Sequence, residues 1–359
     1  MPTDVALRTR PQYAALLDWL RSYVAGDGEL GEVDDSFVHA AVEQRVATLA
    51  VHCGARHPYL AEVERRDFVR GQQTLTGSIR AVGVLAEAGV PCVTLKGSAM
   101  AARFWGDVAM RPSGDVDLLV APHDLMAAGA VLVADGCRRD DLYPDWYLRG
   151  WHYNLGYVAA DRSLPKVELH WSFVRPYLGR PPIDEVVTTG VSVACGPREL
   201  PAPADHWQLI AACAHTAFHE LQLRTLLDVA FVARSLDEPG WLLALAAARR
   251  SQLGVGLYHG VRVSADLLGW RPPAMLEELR PGPVRERVRE RYVEGLTPFG
   301  QPGLPTRQLG KFATPLVSSD FPRVIAAMPL SLTDRPRVLS RLDAAARRLA
   351  GRLTDGRSR

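Results

Sequence analysis

Two aspartates, Asp115 and Asp117, lie one residue apart in the apolar segment Asp115-Val-Asp-Leu-Leu-Val120. Because alternate side chains of a β-strand share a face, both carboxylates would project to one side while the branched residues enter the core. Adjacent carboxylates repel each other unless a cation lies between them, and hard divalent cations such as Mg²⁺ suit that position. The pair alone is weak evidence of function, because Asp-x-Asp is a common sequence.

Upstream of the pair, Leu95-Lys-Gly-Ser98 predicts a strand that ends in a glycine turn at a helix start. Glycine lets an anion approach the backbone, and a helix start offers free N–H groups and partial positive charge. We predict a short helix from Ala99 to Trp105, with Ser98 as its N-cap and Gly106 just past its end. Gly97 and Ser98 are candidate phosphate-binding residues, although a plain helix cap is the simpler interpretation of this segment alone.

A third acid occurs in Val167-Glu-Leu-His-Trp171, where Glu168 and His170 would share one face of a strand. The ordinary explanation is the solvent-facing side of an edge strand. We prefer the interpretation that Glu168 completes the carboxylate set and that His170 supports it. Asp140 and Asp141 also follow the aspartate pair, but no strand pattern surrounds them.

Two cations, Lys96 and Arg111, would add positive charge beside the expected phosphate site, although each alone is more often a solvated surface charge.

Aromatic residues cluster between the halves of the α/β segment and could stack a base or an apolar acceptor, although core packing is the default. These aromatic residues are Tyr143, Trp146, Tyr147, Trp151 and Tyr153.

His215 and His219 lie one helical turn apart, but Thr216 stands where the zinc-protease motif requires glutamate. We therefore do not favour a zinc site. With Arg224 and Asp228 these histidines are expected to line the acceptor or nucleotide side of a cleft. Arg224 and Asp228 could equally form an i, i+4 ion pair of structural value only.

Hydrophobic periodicity places these residues on a small α/β segment between helical regions. The predicted strands lie in 90–95, 115–120, 151–159 and 166–173, the last two antiparallel. The chain is expected to divide into five regions: N-terminal helices in 1–88, an α/β core in 89–200, a helical substrate-side domain in 201–297, a Pro/Gly-rich loop in 298–322 and a basic C-terminal helix in 323–359.

The 42 basic and 40 acidic residues nearly cancel, so global charge does not indicate a nucleic-acid-binding protein. Between positions 335 and 359 eight arginines accompany two aspartates, which leaves an anionic partner such as RNA as an alternative that we do not favour. Five dispersed cysteines, no secretory signal pattern and no long apolar run predict a cytoplasmic protein without a membrane partner.

Together these residues resemble the DNA polymerase beta superfamily of nucleotidyltransferases. More closely, Leu95-Lys-Gly-Ser98, Arg111, Gly114–Val120 and Glu168-Leu-His-Trp171 are similar to the uncharacterised nucleotidyltransferase family. The segment His215-x-x-x-His219, followed by Leu223–Asp228, also fits that family. The resemblance covers about residues 85 to 235.

The resemblance implies an α+β fold: a polymerase beta-like core with a small mixed sheet and flanking helices, to which N-terminal and C-terminal helical regions are added. It also implies two Mg²⁺ ions, with Mn²⁺ as an alternative, and an NTP donor, for which we expect ATP. By resemblance, Asp115 and Asp117 hold the metals, Gly97 and Ser98 hold the leaving phosphates, and Glu168 binds the catalytic metal or acts as base.

The expected activity is transfer of a nucleoside monophosphate to a nucleophile of a small-molecule or peptide acceptor, with release of pyrophosphate. Three alternatives stay open: a toxin-like enzyme that modifies protein or RNA, a non-catalytic nucleotide-binding regulator, and a metal phosphohydrolase that uses the same acids.

Overall fold

The structure is a computed structural model that describes residues 11–140, 152–160, 164–218 and 222–287. Its helices are α1 (Pro11–Ala25), α2 (Asp35–Glu43), α3 (Ala47–His52), α4 (Pro58–Glu87), α5 (Ser98–Met100, continued by the π-helical turn Ala101–Trp105), α6 (Leu125–Ala134), α7 (Ile183–Thr188), α8 (Asp205–Phe218), α9 (Leu223–Ser235), α10 (Glu238–Arg250) and α11 (Gly254–Leu268), with a 3₁₀ helix at Ala274–Leu279.

A five-stranded mixed sheet forms the centre of the molecule. Its strands are β1 (Cys92–Thr94), β2 (Asp115–Val120), β3 (Cys137–Arg139), β4 (Asn154–Ala159) and β5 (Lys166–His170), in the spatial order β1-β2-β5-β4-β3. Only the β2–β5 pair of this sheet is parallel. A separate hairpin consists of β6 (Val191–Cys195) and β7 (Arg198–Ala202).

The two faces of β2 pack against different helices, as the alternation of its side chains requires. Val116, Leu118 and Val120 enter a core that contains residues of α4 and α6. Leu119 lies on the opposite face, in a larger core that includes Trp207 of α8. The face that also carries the two aspartates is therefore covered by the helices that follow residue 205.

The first helices share a core with helices near the other end of the described chain. Tyr13 and Leu16 of α1 belong to the same buried cluster as Leu226 of α9 and Leu267 of α11. Helix α4 contributes to this cluster near its start and to the sheet core near its end. The N-terminal helices thus support the helices that cover the carboxylate face.

The predicted α+β fold, with a small mixed sheet and flanking helices, is confirmed. The antiparallel pair around residues 160–165 is present as β4 and β5. Strand β3, helix α7 and the β6–β7 hairpin are additions to the predicted elements. The Pro/Gly-rich loop in 298–322, the basic helix in 323–359, His219, Asp141 and four of the aromatic residues (Tyr143, Trp146, Tyr147, Trp151) lie outside the described residues.

A membrane-spanning helix is not found in the described parts of the chain, where every helix is too short or too polar to cross a bilayer.

A carboxylate and histidine cluster on the central sheet

Asp117 and Glu168 are direct neighbours across the parallel β2–β5 pair, where their Cα atoms are in register. His170, two residues further along β5, places its Nε2 3.0 Å from Asp117 Oδ1 and 3.7 Å from Glu168 Oε2. One ligand atom from each of these three residues lies within 4.8 Å of the others. The sheet therefore brings together two carboxylates and an imidazole from positions far apart in the chain.

Asp117 and His170 are buried, with 6% and 2% of their surface exposed. His170 Nδ1 has no hydrogen-bond partner among the described residues, so Asp117 is the contact that orients the ring. A buried carboxylate needs a compensating charge or hydrogen bond. For Asp117, a cation and the imidazole of His170 supply this compensation.

That cation is Lys96, whose Nζ lies 3.1 Å from Asp117 Oδ1. Burial acts to raise the pKa of Asp117, but Lys96 and His170 outweigh it and hold this pKa well below its ordinary value. The Leu95 backbone N–H donates to the Asp117 carbonyl at 3.0 Å, which keeps the lysine beside the aspartate. Lys96 is thus part of the carboxylate cluster and is not a solvated surface charge.

Asp115 lies at the first position of β2, on the same face as Asp117 but exposed. Partial burial of its carboxyl group, together with Glu168 and Asp117, raises the pKa of Asp115. Negative charge is therefore concentrated at this end of β2. Asp115 lies outside the tightest group of potential ligands, which within the described chain consists of Asp117, Glu168 and His170.

Glu168 is held by two neighbours that the sequence pattern did not identify. Asn154 Nδ2 donates to Glu168 Oε2 at 2.8 Å, and Lys166 Nζ lies 3.3 Å from Glu168 Oε1. The alternative acid Asp140 lies on the far side of Lys166, at 3.7 Å from Nζ. The only sequence signal for Asn154 is its place in the predicted strand beside the one that carries Glu168.

The glycine turn has the backbone that only glycine adopts readily. Gly97 has φ 68° and ψ −131°, and it is the N-cap of α5. Ser98 is therefore the first helical residue, and the prediction that Ser98 caps this helix is wrong. The Gly97 carbonyl accepts the first bond of the helix, from the Ala101 N–H, and no side chain caps the N–H groups of the first turn. Gly106 ends the following turn in the left-handed conformation, as predicted.

Arg111 is 3% exposed and forms a two-pronged ion pair with Asp228 of α9. Its Nε lies 2.6 Å from Oδ1 and its Nη2 2.7 Å from Oδ2. Trp105 Nε1 also donates to Asp228 Oδ1, at 3.0 Å. Burial acts to lower the pKa of Arg111, but Asp228 outweighs it and raises this pKa. The pair ties the segment before β2 to α9.

Arg224 does not pair with Asp228. Its Nη1 donates to the Pro112 carbonyl at 2.9 Å instead, while Thr74 of α4 donates to the Ser113 carbonyl at 2.8 Å. The three residues before Gly114 are thus held by α4 and α9. This tether fixes where β2, and therefore Asp115 and Asp117, begins.

A cavity opens between the carboxylate face of the sheet and α8. Its empty space is about 450 Å³, part of which opens to solvent. It is mainly apolar, with Lys96, His170, His215 and Asp228 among the polar residues of its wall. Tyr153, the one described member of the predicted aromatic cluster, also lines it. His170, His215 and Asp228 therefore line one cavity, whereas Arg224 is not part of its wall.

Comparison with known proteins identifies a family whose model this chain matches. Residues 32–269 match the model of a family described as "Uncharacterised nucleotidyltransferase". A search of solved structures finds similarity to the antibiotic-resistance factor ANT(2'')-Ia, at 14% sequence identity and a TM-score of 0.35, over 50% of this chain and 91% of that chain. Similarity at that level does not bear on function. A search of curated protein sequences finds no match.

Proposed function

This chain belongs to the uncharacterised nucleotidyltransferase family, and from that premise we propose that it is a metal-dependent enzyme that moves a nucleoside monophosphate from an NTP to an acceptor. The observation that carries the proposal is the side-by-side placement of Asp117 and Glu168 on β2 and β5, with Asp115 on the same face. Such a set of carboxylates is what a nucleotidyl transfer assisted by divalent cations requires.

The residues present fit a divalent cation. Asp117, Glu168 and His170 offer two carboxylates and an imidazole within a 4.8 Å group, and burial together with Glu168 and Asp117 raises the pKa of the nearby Asp115. Oxygen ligands suit Mg²⁺, and the imidazole makes Mn²⁺ an alternative. A bound divalent cation would neutralise phosphate charge and activate the attacking group.

The chain's own residues then have separate roles. Asp115 and Asp117 would hold the metals, and Glu168, to which Asn154 donates a hydrogen bond, would either bind the catalytic metal or act as base on the acceptor nucleophile. The Gly97–Ser98 turn receives the leaving phosphates through its backbone. Once a metal neutralises the charge of Asp117, Lys96 would give up part of its contact with this carboxylate and contact the phosphates instead.

We propose a small-molecule or peptide acceptor that enters the cavity beside His170. The support is its mainly apolar wall, with Leu95, Met100 and Phe173 near the polar residues of the site. A concave site with few polar groups is typical of small-ligand recognition. We propose ATP as the donor. We propose the cytoplasm as the location of the protein, because its five free cysteines would stay reduced there.

The proposal is tested by incubating the protein with Mg²⁺, a cell extract and each α-labelled NTP in turn, and by identifying the products that carry the label. Label on an acceptor together with released pyrophosphate is expected, and Asp117→Asn should reduce transfer by more than about 100-fold while the circular dichroism spectrum stays unchanged. Release of free phosphate without labelled acceptor would indicate a phosphohydrolase. Normal transfer by Asp117→Asn would show that the proposed site is wrong.

A further inference from the structure

A buried guanidinium without a carboxylate partner lies close to the proposed site. Arg224 of α9 is 7% exposed, and its Nε has no hydrogen-bond partner among the described residues. Its Nη1 donates to a neutral acceptor, the Pro112 carbonyl. Buried arginines normally satisfy their charge by direct pairing, so this one is incompletely compensated.

Arg224 has charged neighbours of both signs, but none among the described residues pairs with it directly. Its neighbour Arg111 takes both oxygens of Asp228. Burial, Arg111 and Arg45 lower the pKa of Arg224, against a smaller opposing effect of Asp228 and Asp117. The Arg45 side chain is exposed and has no ion pair within the described ranges. Arg224 is thus left without a direct counter-charge, whereas the exposed Arg45 is compensated by solvent.

Arg45 lies in the turn that ends α2. It has φ 56°, the left-handed conformation common after a helix, and the Val46 N–H donates to the Ala41 carbonyl at 2.9 Å. The preceding Gln44 is buried and accepts a hydrogen bond from the Leu223 N–H at 3.1 Å, which docks this turn on the start of α9. The turn therefore presents Arg45 beside the end of α9 that carries Arg224.

The geometry points to a polyphosphate site: we propose that Arg224, with Arg45 at its outer edge, binds the triphosphate of the nucleotide donor. This assignment rests on the proposed function and adds residues to it. The anion would supply the charge that Arg224 lacks, and arginine is well suited to phosphate because its N–H groups match two phosphate oxygens.

The position of Arg224 relative to the glycine turn favours the triphosphate over an acidic acceptor. Arg224 holds Pro112, and the next residue, Ser113, packs against Gly97: a Cβ built on Gly97 would lie 3.9 Å from Ser113 Oγ. The guanidinium is thus anchored to the segment that lines the proposed phosphate turn. The cavity proposed for the acceptor, by contrast, does not include Arg224 in its wall.

Inorganic tripolyphosphate is a probe that needs neither the correct base nor the acceptor. Binding of tripolyphosphate to the full chain, with and without Mg²⁺, can be measured by calorimetry. Arg224→Met should weaken it by about 10-fold to 100-fold, the loss expected for hydrogen bonds to a charged group. Arg45→Ala should weaken it less, by about 2-fold to 10-fold, because that side chain is exposed.

A control for the loss of an arginine-to-carbonyl hydrogen bond lies on the same helix, at the more exposed Arg234. Arg234 donates through Nη1 to the Val24 carbonyl, so Arg234→Met also removes an arginine-to-carbonyl hydrogen bond from α9. Arg234→Met should leave tripolyphosphate binding unchanged.

Thermal unfolding adds a readout that separates a ligand role from a structural one. Without tripolyphosphate, Arg224→Met should unfold close to the wild-type temperature, since loss of an incompletely compensated buried charge offsets loss of the hydrogen bond to the Pro112 carbonyl. With tripolyphosphate, the wild type should gain stability and Arg224→Met should gain much less.

One result would overturn the assignment: tripolyphosphate binding by Arg224→Met equal to that of the wild type, whatever the stability of the unliganded variant. That result does not bear on nucleotidyl transfer itself, which the Asp117→Asn comparison tests. If the wild type transfers label but Arg224→Met binds tripolyphosphate normally and loses transfer, the anion belongs to the acceptor and our assignment is wrong.

Discussion

At the residue scale, the two aspartates of β2 are chemically different, although sequence alone treats them as a pair. Asp117 is buried, contacts Lys96 and His170, and has a lowered pKa, whereas Asp115 is exposed and has a raised pKa. Their shared face could be predicted from the alternation of a strand. The difference in burial and pKa between them could not be predicted. It arises from residues of β5 and from Lys96, and their distances to each aspartate depend on the fold.

Strand pattern alone favours Glu168 over Asp140 as the third acid, and that choice stays a prediction. Both acids lie near Lys166 Nζ, at 3.3 Å and 3.7 Å, but Glu168 also lies in the group with Asp117 and His170. We expect Glu168→Gln to reduce transfer by about 100-fold or more, because losing a metal ligand should cost at least as much as losing a residue that orients one, about 10-fold to 100-fold. Asp140→Asn, which weakens an ion pair with the same lysine, should change transfer less than about 3-fold.

The measurement is the rate of label transfer at saturating NTP and Mg²⁺, with melting temperatures recorded for both variants. An active Glu168→Gln protein together with an inactive Asp140→Asn protein would assign the third carboxylate to Asp140.

At the element scale, segments bounded by turn residues could be predicted even when short, as β1 and α5 were, whereas weakly patterned segments could not. The sequence of β2 alone specifies its bounds, because turn residues and a β-branched run define them. Strand β3 has only three residues and is partly exposed, and the β6–β7 hairpin alternates too weakly to stand out. The Arg111–Asp228 pair was also beyond prediction, since 117 positions separate its members.

The Gly97 turn permits a direct test of backbone conformation. Gly97→Ala should lower the free energy of unfolding by about 1–3 kcal/mol, because φ 68° with ψ −131° is strained for any residue with a Cβ. Gly83→Ala is the matched control. Gly83 lies within α4 and a Cβ there would meet nothing within 4 Å, so this change should stabilise the protein by about 0.4–1 kcal/mol.

Urea unfolding of the two variants gives both values. Equal effects of the two substitutions would show that the turn relaxes without strain and that its backbone is not fixed for phosphate.

The Arg111–Asp228 pair should behave as a buried unit that joins the segment before β2 to α9. Arg111→Met alone leaves Asp228 without its main partner and should cost about 3–5 kcal/mol of stability. The double variant Arg111→Met/Asp228→Leu should cost less than the sum of the single changes, because neither charge is then left unpaired. A double-mutant cycle from denaturant unfolding measures the coupling, and additive effects would contradict a direct pair.

At the scale of the whole molecule, the N-terminal helices are structural partners of α9 and α11. Leu16 is 0% exposed and belongs to the same core cluster as Leu226 and Leu267. Leu16→Ala should therefore cost about 2–5 kcal/mol. A chain that begins at residue 58, and so lacks α1 to α3, should lose its cooperative thermal transition, because this core would be open to water.

Circular dichroism during heating checks both variants. A cooperative transition of the shortened chain at the wild-type temperature would show that residues 58–287 fold without the first three helices and that the shared core contributes little.

The parallel pairing of β2 with β5 has a consequence for chain synthesis. His170 and Asp117 are 53 positions apart, and parallel strands meet only after the intervening segment has crossed over. While the ribosome is still making the chain, Asp115 and Asp117 belong to a strand with an unpaired edge, and Asp117 has no imidazole partner. Metal affinity at the proposed site should therefore appear only once β5 is complete, at a stage when the residues of α8 and α9 that line the cavity have yet to be made.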